Sequence, residues 1–177
     1  ETFINISKHY PGKVAIGIDC SWSMDDLLSM KSKMRRKWLA LYYGSMLKDC
    51  YDNADLYLWA DKSCFVDSKD ITIQELYKAS NLIWGWTYIQ SFIDHTKEKG
   101  EYDWIIILTD EAIADRFNNI AKKGTVVWNL ATYDNSMASQ YDPKIQYFSG
   151  LNDKMFQTCI HLFDIWNLVQ EIEKIDF

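Results

Sequence analysis

Short unbroken apolar runs alternate along this chain with longer stretches in which apolar residues recur at helical spacing, and that alternation predicts strands and helices taking turns. The first run, residues 13–18, follows the turn signal Pro11-Gly12 and reads as a buried strand. Residues 31–47 are helical in period, with Met34, Trp38, Leu41 and Tyr42 on one face. Residues 54–60 read as a second strand, and the hairpin-like step Asp61-Lys62 leads into a short edge strand at 63–67. Thr72 stands three residues before Glu75, a capping pattern that opens a helix over 72–81. A further helix over 88–99 stops at Gly100. Residues 103–108 form the clearest strand, because Trp104-Ile105-Ile106-Ile107-Leu108 is apolar on both faces, as a central parallel strand must be. Residues 111–123 read as a helix ending at Gly124, and 125–131 and 145–148 as strands. Residues 152–175 read as a long closing helix, with Phe156, Ile160, Phe163, Trp166 or Asn167, and Val169 spaced for packing.

This order predicts an α/β fold: a doubly wound, mostly parallel open sheet covered on both faces, with one short antiparallel edge strand and a long C-terminal helix. At 177 residues, 48% of them hydrophobic, the chain is the size of one domain (1–177) with a real core. In open α/β sheets ligands bind beyond the carboxyl ends of the strands, where the strand order reverses. If the first strand neighbours the strand at 103–108, Asp19 and Asp110 emerge at the same edge.

Candidate chemistry gathers at that edge. Asp19-Cys20-Ser21-Trp22-Ser23-Met24 ends the first strand and offers one carboxylate and two hydroxyls. Gly85-Trp86-Thr87 lies in a loop that can add a hydroxyl, and Thr109-Asp110 ends the later strand with a second carboxylate. Hard oxygens of this kind suit a small hard cation, with Mg²⁺ the first choice and Mn²⁺ or Ca²⁺ as alternatives. The competing reading is a strand-end turn rich in Ser and Asp. Neutral hydroxyls beside carboxylates would leave the ion incompletely neutralised, so it would hold a carboxylate supplied by a partner.

Composition narrows the alternatives. A net charge of −6 and a pI near 5.0 argue against direct RNA binding by this domain and suit a cation. Cys20, Cys50, Cys64 and Cys159 show no CxxC spacing, and His9, His95 and His161 do not converge with them, so free thiols in a reducing compartment are expected. No window is long and apolar enough to cross a bilayer. The chain opens at Glu1 with no secretory signal, which suggests a domain excised from a longer protein. Lys31, Lys33, Arg35, Arg36 and Lys37 read as a solvated helical face, with a phosphate contact as the alternative. Trp22, Trp84 and Trp86 either rim the site as interface anchors or pack against neighbouring loops.

The motifs resemble those of von Willebrand factor type A domains and their metal-ion-dependent adhesion site. That pattern is Asp-x-Ser-x-Ser, a loop Thr and a strand-end Asp, matched by Asp19, Ser21, Ser23, Thr87 and Asp110. Within that superfamily the chain is most similar to the C-terminal A-type domain of Ro autoantigen (TROVE) proteins. The residues concerned are Ala15 to Met24, Ile106 to Glu111, Val126-Val127-Trp128-Asn129-Leu130, and the late segment from Phe148 to Phe156. The resemblance implies a non-enzymatic, intracellular (cytoplasmic) interaction domain, itself monomeric and without membrane contact. The ion would be bound by the five matched residues and rimmed by Trp22, Trp86 and Glu111, and a protein partner would offer a carboxylate. It implies a parent protein that handles small RNAs through a ring of helical repeats N-terminal to this domain. Trp86 and Trp22 depart from the usual pattern, being bulky where the family is often small. The alternative function is a Mg²⁺-dependent phosphohydrolase on an α/β sheet. A covalent phosphoryl intermediate would want an acidic residue two places after Asp19, and that position is Ser21. A phosphate-cradling Gly-rich loop is also missing.

Overall fold

The computed structural model describes residues 10–67, 70–110, 115–131, 142–151, 153–162 and 164–167. Among them, six strands form one sheet: β1 (Tyr10–Asp19), β2 (Tyr51–Trp59), β3 (Ser63–Val66), β4 (Trp104–Thr109), β5 (Gly124–Asn129) and β6 (Ile145–Ser149). The order is β3-β2-β1-β4-β5-β6, parallel throughout except for the antiparallel edge strand β3. The helices are α1 (Arg36–Cys50), α2 (Ile73–Ser80), α3 (Ile89–Lys99) and α4 (Asp153–Ile160). A single 3-10 turn spans Trp22–Asp25.

The predicted doubly wound sheet is what the apolar runs build. Every residue of β4 is buried. Ile106 and Leu108 pack with Leu41, Leu47, Leu76 and Phe156 of α1, α2 and α4. Ile105 and Ile107 pack on the other face with Ile89, Phe92 and Ile93 of α3. Strand order reverses between β1 and β4, whose register pairs Ile18 with Leu108. Asp19 and Asp110 therefore leave adjacent strands at the point where open sheets part to admit ligands.

Two of the predicted helices are corrected. Helix α1 starts at Arg36, not residue 31. The Met34 amide donates to Ser32 Oγ at 3.0 Å, Leu28 N donates to Met34 O at 2.9 Å, and Leu27 bridges Arg35. These bonds give the 27–35 backbone a hairpin-like alternative to helix. The buried face of α1 is Lys37, Ala40, Leu41, Gly44, Leu47 and Cys50, while Met34 and Tyr42 lie about half exposed. The sheet takes the small residues because the helix sits close: a Cβ on Gly44 would lie 2.5 Å from Ile18 Cδ1.

The predicted helix over 111–123 is not formed in its described part, 115–123. There the backbone is bonded outward instead. The Asn119 amide donates to the Asp142 carboxylate, Lys122 N to Tyr102 O and Lys123 N to Asp103 O. Residues 111–114, and with them Glu111, lie outside the described residues. Of the closing helix, α4 spans Asp153–Ile160; His161 is a turn, and helical backbone resumes at 162 and 164–167, with His161 N donating to Gln157 O and Ile165 N to His161 O. Phe156 and Ile160 are buried, and Trp166, rather than exposed Asn167, meets Trp104 edge-on. Phe163, Val169 and residues 168–175 lie outside the described residues.

Candidate metal centre

The site is built where β1 runs out. Cys20 N still continues the ladder to Trp59 O at 2.8 Å, but Asp19 Oδ1 then accepts the Ser21 amide at 2.8 Å and turns the chain. The 3-10 turn follows, with Met24 N donating to Ser21 O at 3.1 Å. This places Ser21 Oγ and Ser23 Oγ 3.3 Å apart. Ser23 Oγ donates to Asp110 Oδ1 at 3.1 Å, across from β4. The preceding residue, Thr109, donates its hydroxyl to Asp19 Oδ2 at 2.6 Å.

Asp19, Ser21, Ser23 and Asp110 thus meet in one hydrogen-bonded cluster. Asp19 and Asp110 are both completely buried. Burial, and after it the negative charge of Asp110, pushes the Asp19 carboxyl up to about 7, against the bonds from Ser21 and Thr109. Cys20 points into the core with no exposed surface, and burial raises its thiol well above the ordinary range. It is not a nucleophile.

Thr87 arrives on a separate loop. Trp22 N donates to Gly85 O at 3.3 Å and joins that loop to the 3-10 turn. Thr87 itself is buried, and among the described residues its side chain makes no hydrogen bond to the other four. The loop is shaped by Asp61, just beyond β2, whose Oδ1 accepts the Trp86 amide at 2.7 Å. Gly85 has φ +140, and a Cβ there would fall 2.2 Å from Asp61 Oδ2, so both conformation and space demand glycine. Trp22 stacks on Trp84 at 5.9 Å and tilts against Trp86 at 5.6 Å. The three rings are 51%, 62% and 62% exposed and form a surface patch beside the cluster.

Sequence reasoning missed four partners. Arg36, read as part of a solvated face, is largely buried; its Nη1 donates to Asp110 Oδ2 at 2.8 Å and to Ser23 O at 3.3 Å. Lys37 is buried as well and donates to Asp25 Oδ2 at 2.7 Å. The solvated-face expectation therefore fails for these two cations, because α1 begins against the strand ends. Asp61 was legible only as a hairpin step, although it too follows a parallel strand's carboxyl end. Thr109 is legible as the neighbour of Asp110, but its bond to Asp19 is not.

The donors fit a hard cation. Among the described residues no three His, Cys, Asp or Glu converge as a cage; the cluster offers serine hydroxyls with two carboxylates behind them. The 3.3 Å hydroxyl separation is near the edge of an octahedron around Mg²⁺, ~3 Å for ligands at about 2.1 Å.

No family model matches the sequence, and no curated protein matches it. Among solved structures, the Ro (RSR) protein of Deinococcus radiodurans superposes with a TM-score of 0.67 at 12% identity, over 85% of this chain. The chain spans 34% of that protein's length. An aerotolerance-related membrane protein from Bacteroides fragilis is similar at 17% identity and a TM-score of 0.48, covering 84% of this chain and 85% of that one. Among the described residues no helix is long and apolar enough to cross a membrane. The sheet order, the strand-end cluster and the likeness to the Ro protein together identify the fold as von Willebrand factor type A-like.

Proposed function

We propose that this domain is a non-enzymatic interaction module that holds a divalent cation, Mg²⁺ first and Mn²⁺ or Ca²⁺ as substitutes, and uses it to grip an acidic group on a protein partner. Ser21, Ser23 and Thr87 supply hydroxyls, and Asp19 and Asp110 supply the negative charge. Trp22 and Trp86 rim the site, and Glu111 is the third residue that the sequence assigns to that rim. The observation that carries the reading is two fully buried carboxylates at adjacent strand ends with two serine hydroxyls between them. Buried carboxylates this close repel, and a cation relieves the repulsion. From the motif resemblance to Ro (TROVE) proteins we further propose a parent protein that handles small RNAs in the cytoplasm, through chain outside this domain. Phosphohydrolase chemistry is disfavoured, since Cys20 is sealed in the core and the second position after Asp19 is a serine.

Calorimetric titration of the domain with Mg²⁺ and Mn²⁺ tests this. Binding in the wild type, lost in Asp19→Ala and weakened in Thr87→Ala, is the expected result. Equal binding in wild type and Asp19→Ala would place the cation elsewhere and end the proposal.

A further inference from the structure

We propose that the groove between α1 and α2 receives an acidic amphipathic helix from a partner protein, seated with its negatively charged first turn over Lys31 and Lys33. The proposal does not rest on the metal-site reading, because none of that site's residues lines the groove.

The groove has a volume of about 570 Å³ and is lined by Lys33, Met34, Trp38, Leu39, Tyr42 and Ile73. It runs from Lys33 and Met34, past Trp38, to Tyr42 of α1 and Ile73 of α2. Trp38 lies flat on Tyr77 of α2, with ring centroids 4.3 Å apart and planes within 13°, so the floor is set before anything binds. The sheet takes the small-residue face of α1, which leaves Met34 and Tyr42 about half exposed with nothing over them among the described residues. Methionine beside aromatic rings is a composition that protein interfaces favour and that adapts its shape to a partner.

The exposed apolar surface extends past the groove. Leu27 is 47% exposed and Met30 fully so, both on the 27–35 hairpin that supplies Lys33 and Met34. A small ligand would fill the groove and leave that hairpin bare, whereas a helix lying along α1 covers both. The stretch from Met34 to Tyr42 is roughly two turns long and takes apolar anchors at i, i+4 and i+7 of the incoming helix.

Charge fixes the sign of the partner. The run from Lys31 to Lys37 holds five cations and no acid. Arg35 and Lys37 are taken by Asp25, and Arg36 by Asp110. Lys31 and Lys33 form no ion pair among the described residues, and no acidic side chain lines the groove. In a chain of net charge −6 this is a local excess of free positive charge at one end of an apolar surface. Carboxylates answer it. Carboxylates in a helix's first turn also stabilise that helix through its own dipole, so the acidic end is the end that enters over Lys33.

Fluorescence anisotropy of a labelled synthetic peptide with the full chain tests this. The peptide is a helix of about four turns, with Leu at i, i+4 and i+7 and two Glu in its first turn. A second peptide keeps the Leu stripe and carries Lys in place of Glu. With chelator present, the wild type is expected to bind the Glu peptide about tenfold or more tighter than the Lys peptide. Lys33→Glu should erase that preference, and Met34→Asp and Tyr42→Asp should each lose both peptides. These three side chains are exposed, so the core is untouched by the changes. Leu82→Asp, at an apolar residue 83% exposed outside the groove, should bind as the wild type does. No binding by the wild type, equal binding of the two peptides, or undiminished binding in Tyr42→Asp overturns the proposal. So does dodecanoate that binds the wild type and not Tyr42→Asp while neither peptide binds, which would make the groove a small-amphiphile site.

Discussion

Asp19 is the residue at which burial and charge are most directly opposed. Its folded value of about 7 lies above the ordinary 3.8, so the folded chain binds a proton that the unfolded chain has released between those two values. Stability from this group is fully present below about pH 4 and is lost as pH rises towards 7. The metal-free protein should accordingly lose melting temperature across that window, and Asp19→Asn should flatten the loss. Thermal denaturation at stepped pH in the presence of chelator measures it; parallel curves for wild type and variant would contradict the assignment. At this scale the sequence was legible where chemistry sits in a local pattern. Asp19, Ser21 and Ser23 are three positions of one turn, and Asp110 ends a run that cannot be missed. Arg36 and Asp61 were not legible, because their partners are far along the chain: Asp110 is 74 residues from Arg36, and Trp86 is 25 from Asp61. Nothing local distinguishes a basic residue at a helix start that faces solvent from one that faces a strand end.

Among the elements, those fixed by burial on both faces were legible and those fixed by side-chain bonds were not. β4 could be read from its composition alone, and the α2 capping box formed as its Thr72 and Glu75 predict. The segment 115–123 has helical spacing, yet its polar groups are claimed elsewhere. Asp115 accepts the first two amides of α3, from Ile89 at 2.8 Å and Gln90 at 3.0 Å, and so caps the helix that follows the Thr87 loop. The face of α1 was misjudged for a related reason. Large apolar residues mark a helix face only when the partner surface has room, and here the sheet approaches until Gly44 touches Ile18 and Leu108. Replacing Gly44 by Ala gains about 1 kcal/mol of helix propensity. Displacing buried Ile18 costs about 1–3 kcal/mol, so a net loss of up to about 2 kcal/mol is expected. The midpoint of urea unfolding checks this, and a stabilised variant would refute the close approach.

For the whole molecule, the reversal of strand order between β2-β1 and β4-β5 does more than place a crevice. It brings together chain ends that no single element could hold, from β1, β4, the start of α1 and the loop before α3. The likeness to the Ro protein spans 34% of that protein's length and bears on the fold alone.

The three exposed indoles have an optical consequence. Of the eight tryptophans, Trp38, Trp59, Trp104, Trp128 and Trp166 are shielded wholly or in part, whereas Trp22, Trp84 and Trp86 stand in solvent within one to three residues of Ser21, Ser23 or Thr87. A water-soluble quencher such as iodide should therefore silence mainly the emission that originates beside the cluster. Paramagnetic Mn²⁺ should dim that same component more than Mg²⁺ does, and a docking partner should shield it from iodide. The protein carries its own unlabelled fluorescent gauge of the site, readable at concentrations far below those calorimetry needs.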